Sequence, residues 1–329
     1  MITLDDDKLV VRFPDVFDQA RLEISFARTL RIPDDGHDHP LPAGLGRFPV
    51  RHVDDFGDRV PKSWRKRGGV MIPMHRSEAM WICFESDAIH RRDTAYPFAV
   101  KVGAGKINAM SGLPWQNGLN PKPQDYVVAP DQPWLDGFNV GKEVIRQFVA
   151  TPLGSGESVE EQLTGMAEHG GVQLAVCPMR FDEFDRRWPQ QPEVHYERSL
   201  ACPSPMPSMK KKMGMGLAAG GLIRQEIYRD PYSIDAWQQS AMSRCFVHLC
   251  DAATWKHITG EDPPTDPITA RQYKKHGIPW FEHYNEELGA VEGSKRLKTV
   301  KPVTAALGEA SYWDRLEGSV KLTRGQISR

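Results

Sequence analysis

The feature of this chain that most constrains its fold is an alternation of apolar and polar side chains that recurs through its first half. In residues 21–26, Leu22, Ile24 and Phe26 alternate with Arg21, Glu23 and Ser25. Residues two apart in an extended chain share a face, so this pattern predicts a strand with one face on a core. Segments 8–13, 69–72, 80–84, 98–102, 126–129, 144–149 and 172–177 read as further strands, separated by loops dense in Pro and Gly. The expected fold class is α+β, with a β-rich sandwich or barrel core and a more helical C-terminal part.

The strands do not stop at residue 177, because 222–228 and 245–249 also read as β. Helical signals follow. Asp251 can cap a helix over 252–258 that Gly260 stops, and Thr269 and Gln272 stand at capping-box spacing before a short helix that Gly277 can end. Trp280, Phe281, Tyr284 and Leu288 would line the apolar side of a third helix. Between the two regions, residues 189–212 carry five prolines and Lys210, Lys211 and Lys212. Such a segment suits neither a helix nor a central strand, so the expected layout is a β-rich core over 1–188, a linker or long loop over 189–212, and strands then helices over 213–329. A single domain over 1–329 is the alternative.

Two internal similarities stand out. Pro114-Trp115-Gln116-Asn117-Gly118 and Pro133-Trp134-Leu135-Asp136-Gly137 share a Pro-Trp-x-(Asn/Asp)-Gly pattern, which predicts two chain reversals, each packed under a Trp. Val144-Ile145-Arg146-Gln147 likewise matches Leu222-Ile223-Arg224-Gln225. Each copy follows glycines and precedes a proline, a Ser-headed helix start and another strand, which suggests a pseudo-two-fold core. Arg146, Gln147, Arg224 and Gln225 would face one another across that axis. Paired guanidiniums favour a carboxylate or phosphate, so these four are the candidate anion-binding residues, the alternative being that each arginine pairs with a nearby acid such as Glu143 or Glu226.

Composition narrows function by exclusion. Lys plus Arg total 42 against 43 Asp plus Glu, for a formal net charge of −1, so no overall pull toward nucleic acid or an anionic membrane is expected. The local basic run Lys62, Arg65, Lys66 and Arg67 around Trp64 reads as a solvated turn. No stretch approaches the ~18 apolar residues a spanning helix needs. Five cysteines without a Cys-x-x-Cys pair fit reduced thiols and a cytoplasmic location. A homo-oligomer or a protein partner is compatible with all of this.

Motifs with known mechanics fail on context. The Gly214–Ala219 stretch has dinucleotide-turn spacing but no apolar strand before it, and Gly103-Ala104-Gly105-Lys106 lacks the flanking residues of a phosphate loop. Histidine offers one constellation. His37 and His39 have the spacing that puts two imidazoles on one side of an extended chain, with His52 and Asp54 shortly after. These four are the candidate metal ligands, for zinc or iron, and Glu168 with His169 is the candidate catalytic pair.

Segments 45–49, 76–84, 145–156, 167–179 and 277–284 resemble a family of uncharacterised bacterial and fungal proteins of unknown function. The resemblance spans most of the chain and implies no activity, cofactor or site. Two functional expectations stand side by side. One is a non-catalytic binding or scaffold protein with a pocket for an anionic small ligand. The other is a metal-assisted hydrolase built on the His, Asp and Glu cluster, which leaves open whether the protein is an enzyme.

Overall fold

A computed structural model describes residues 1–92, 94–190, 215–282 and 288–303, with backbone alone at 282 and 319–321. The fold is α+β and β-rich. Eight strands of one 17-stranded sheet carry the architecture: β1 (Arg21–Thr29), β2 (Val70–Met74), β3 (Ala79–Glu85), β4 (Phe98–Ala104), β5 (Val144–Pro152), β6 (Val172–Pro178), β7 (Met215–Arg224) and β8 (Ser243–Asp251). Strands from both sides of the 189–212 segment therefore share one sheet; from 191 on, that segment lies outside the described residues.

The pairings make a circuit. β3 pairs with β5, β5 with β7, β7 with β8 through Met215 and Leu249, β8 with β6, and β6 with β4, each antiparallel. The 127–135 segment returns from β4 to β3, pairing Phe98 with Ala129 at one end and Trp134 with Cys83 at the other. β1 lies on the outer edge of β3, and β2 runs parallel to β8. Phe26, Phe98, Phe138, Phe148 and Tyr126 are fully buried within the enclosed core.

The internal repeat has a geometric meaning. β5 and β7 pair antiparallel with Ile145 opposite Ile223, Val144 opposite Arg224 and Arg146 opposite Leu222. The matched tetrapeptides are thus related by a local two-fold through the isoleucine pair. The second strand of each copy follows suit, with β6 antiparallel to β8. Between them, the first copy has a helix, α1 (Val159–Thr164), opened by a reciprocal Ser158–Glu161 capping box; the second has only 3₁₀ turns, at Ile234–Ala236 and Gln239–Ala241.

The structure revises three expectations. β7 occupies Met215–Arg224 rather than 222–228, so the glycine run is strand. Its glycines serve close approach: a Cβ at Gly221 would meet the Pro33 carbonyl oxygen at 2.2 Å, and one at Gly220 would meet Val149 at 2.6 Å. The predicted helix at Trp280 is instead a strand over Trp280–Glu282, held between Leu41–Pro42 and Ser319–Lys321 by partners far away in sequence. Residues 283–287 lie outside the described residues. Finally, 133–137 is not a reversal. Asp136 is fully buried, and Gly137 opens a strand where a Cβ would lie 1.9 Å from the Arg146 carbonyl oxygen.

Helices follow their caps. Asp251 caps α3 (Ala252–Thr259) through the Ala253 N–H, and Gly260 ends it in the left-handed conformation at φ 78°. Thr269 and Gln272 form the expected capping box of α4 (Ala270–Lys275). Three of the six α-helices among the described residues lie between residues 252 and 298, which makes the described C-terminal part the more helical one. No helix among the described residues is long and apolar enough to cross a membrane.

Candidate functional site

The two sets of residues singled out from the sequence, the arginine pair and the His37–His39 loop, meet at one edge of β7. A short strand, Asp38–His39, pairs parallel to it, with Asp38 beside Leu222 and His39 beside Ile223. Residues opposite each other across a ladder share a face, so Arg146 and Arg224 sit diagonally on one face, within reach of long side chains. Both are matched with acid. Arg146 Nη1 donates to Asp34 Oδ1 at 2.8 Å, and Arg224 Nε lies 3.1 Å from Asp38 Oδ2. The partners are the acids of the 34–38 loop rather than Glu143 and Glu226.

That loop is held internally as well. The His37 N–H donates to Asp35 at 2.9 Å, and the His39 ring lies 3.1 Å from both Asp35 carboxylate oxygens. Burial alone would raise the Asp35 carboxyl, but these two contacts outweigh it and hold the group below the usual carboxylate range. The His37 side chain stands 81% exposed, while that of His39 is 9% exposed. His52 lies on a different short strand, paired with Val70, and Asp54 is exposed just after it. Among the described residues no group of three or more His, Cys, Asp or Glu side chains is placed to hold a metal ion.

Gln147 and Gln225, the other members of the repeat, serve the backbone. Gln147 accepts from the Ile32 N–H at 2.8 Å and donates to the Leu30 carbonyl at 2.9 Å. Gln225 accepts from the Asp136 N–H at 3.1 Å and donates to Asp136 Oδ2 at 2.7 Å. Gln124 and Gln132 do the same for the 226–230 segment, each accepting one of its N–H groups and donating to one of its carbonyls. These buried amides act as sheet rungs where strands lack a regular partner. All four glutamines are buried with both ends of the amide engaged.

Glu168 and His169 form a loop fastener. His169 Nδ1 lies 2.9 Å from the buried Glu160 carboxylate, and Glu168 lies 3.6 Å from the other ring nitrogen. Arg67 donates to both of their carbonyls, while Trp64, buried inside the basic run, stacks on His248 at 4.6 Å. The Gly154 and Gly156 N–H groups, which would suit an anion, donate to Glu161 Oε1 at 2.9 Å each.

One region has donors to spare. A cleft of about 330 Å³ is lined by Thr94, Ala95, Pro97, Pro130, Asp131, Pro231 and Tyr232. Arg187, Trp188 and Leu288 complete it. Arg187 is the last residue of α2 (Phe181–Arg187), where the helix dipole favours a cation. Its guanidinium lies over the Tyr232 ring at 4.9 Å, and its Nε lies 3.3 Å from Glu183. Its two terminal amino groups make no hydrogen bond to any described residue.

The cleft is braced from behind. Arg92 donates to the Trp188 carbonyl at 2.5 Å, pairs with Asp185 at 2.8 Å and lies over Phe184, so the chain at Trp188 is fixed. Asp230 accepts from the Tyr126 hydroxyl at 2.6 Å, the Trp237 indole at 2.8 Å and the Tyr232 N–H at 2.8 Å. Burial still lifts its carboxyl above the usual range, against the pull of those donors. The residues of the cleft come from five separate stretches of chain, so periodicity and spacing had no means of gathering them. The only local signals are the Arg187-Trp188 and Pro231-Tyr232 dipeptides.

The chain matches no family model, no curated protein sequence and no solved structure.

Proposed function

We propose that the protein is a cytoplasmic, non-catalytic binding protein whose working site is the cleft between Arg187 and Tyr232, and that it takes a small anionic ligand. The observation that carries this reading is the half-engaged guanidinium of Arg187. An arginine fork whose two amino groups have no hydrogen-bond partner among the described residues, beside a partly enclosed aromatic wall, favours a carboxylate or phosphate held by two parallel bonds. The cleft volume lies at the small end of the range for small-molecule sites. Arg146 and Arg224, which the sequence nominates for the same role, each already face a carboxylate.

Isothermal titration with a panel of small carboxylates and inorganic phosphate tests the reading. At least one anion should bind, Arg187→Ala should weaken it at least tenfold, and Arg146→Ala should leave it unchanged. Binding that survives Arg187→Ala, or the absence of binding by every anion in the panel, overturns the assignment.

A further inference from the structure

We infer that the ligand of this cleft is a flat-ring carboxylate of about a dozen non-hydrogen atoms, its carboxylate on Arg187 and its ring against Trp188; this rests on the anion reading above. The walls supply the argument. Trp188 and Tyr232 stand nearly perpendicular, at 78° with centroids 6.1 Å apart, and Tyr232 meets Trp237 at 73° and 5.8 Å. Two rigid planes at right angles make a corner that a flat ring can fill, presenting its face to one plane and its edge to the other.

Pro97, Pro130 and Pro231 add further rigid apolar surface, and Leu288 an aliphatic one. A puckered aliphatic ring would meet these planes with fewer close contacts, and attraction falls off steeply once a gap opens. Size points the same way. The 330 Å³ of space equals roughly eleven waters at about 30 Å³ each, room for a one- or two-ring acid. Arg187 is placed for both halves of such a molecule, since its guanidinium carbon lies 4.9 Å from the centre of the Tyr232 ring while its Nε takes up Glu183.

The experiment is a titration of the full chain with benzoate, indole-3-carboxylate, cyclohexanecarboxylate and acetate, read by calorimetry and by tryptophan fluorescence. The chain has nine tryptophans, so Trp188→Phe identifies the reporter and keeps a flat wall in place. The two aromatic acids should bind at least tenfold tighter than cyclohexanecarboxylate. They should quench the parent, and the quench should shrink in Trp188→Phe. Trp188→Leu should erase the preference for flat rings, with its fold checked by the far-ultraviolet circular dichroism of the unliganded variant. If cyclohexanecarboxylate and acetate bind as well as benzoate, the ring inference falls and the anion site stands. If no acid binds, the ring inference falls, and inorganic phosphate titrated alongside decides the anion site: binding keeps it, no binding overturns it as well.

Discussion

Arg146 with Arg224 and, elsewhere, Arg187 show how differently one side chain is used in two regions of this molecule. On the β5–β7 ladder, each of two neighbouring arginines meets an aspartate of the 34–38 loop, and the charges cancel within the fold. At the end of α2, Arg187 meets one carboxylate along its Nε side and leaves its amino groups toward a cleft. A guanidinium is therefore informative only after its partners are counted. The matched pair fastens a loop to a sheet; the half-matched one has binding capacity remaining.

The sharpest way to break the ladder is through its glutamines rather than its arginines. Gln147→Ala would leave the Ile32 N–H and the Leu30 carbonyl buried without partners, at a cost of about 2–4 kcal/mol. Chemical denaturation should show that loss. A loss below about 0.5 kcal/mol would mean that the 30–39 segment repairs its own hydrogen bonds and that the glutamine rung is dispensable.

The next effect is a pH dependence set by two buried groups, Asp136 and His248. Burial pushes the Asp136 carboxyl up to about 8, against the pull of Trp134 and Gln225. The native protein therefore holds a proton that the unfolded chain releases, so this contribution is complete below the ordinary carboxylate range and falls away as pH rises to about 8. His248 works in the other direction. Burial, aided by Arg67 and opposed by the Gly68 carbonyl, lowers it to about 4, so stability falls as pH drops from the ordinary imidazole range toward 4. Each limb is bounded by about 1.4 kcal/mol per pH unit. Between about 4 and the ordinary imidazole range the two contributions oppose each other and largely cancel, so urea titrations should show stability declining from that range up to about 8, with Asp136→Asn flattening this decline and uncovering the acid limb of His248. An unchanged alkaline slope in that variant would show that Asp136 does not cause it.

The ladder is also where the sequence was most legible. Period-2 alternation located β1, β3 and β4, and the repeated Ile-Arg-Gln anticipated that Arg146 and Arg224 would be neighbours. Their acids could not be read, because Glu143 and Glu226 are closer in sequence while the 34–38 loop reaches the same edge through the parallel pairing at His39. Strand β7 was hidden at its start, since glycines chosen for close approach carry no alternation. Trp280 read as helical because its strand partners come from residues 41–42 and 319–321. The cleft was least legible of all. Pro97, Pro130, Trp188 and Tyr232 are distant along the chain and share no period, so only the fold brings them together.

A smaller effect probes the matched pair directly. Asp34 and Arg146 are only partly exposed, so their coupling in a double-mutant cycle of Asp34→Asn and Arg146→Gln should be about 0.5–1 kcal/mol. It should shrink as salt is raised, since the rim of this pair faces water. Coupling near zero would make the loop's attachment a matter of the His39 pairing and the Gln147 rung, with the charges as bystanders.

The smallest expected effect on folding belongs to the residue with the largest expected effect on binding. Arg187→Met keeps an unbranched apolar side chain and removes the guanidinium that lies over Tyr232, leaving Glu183 still paired with Arg186. Its stability should change by no more than about 0.5 kcal/mol, because no buried partner is orphaned. A substitution that costs the fold almost nothing and abolishes anion binding would mark the donor as serving a ligand. If Arg187→Met instead destabilises the protein as much as Gln147→Ala, then the guanidinium belongs with Arg146 and Arg224 as a fastener, and the contrast between the two regions disappears.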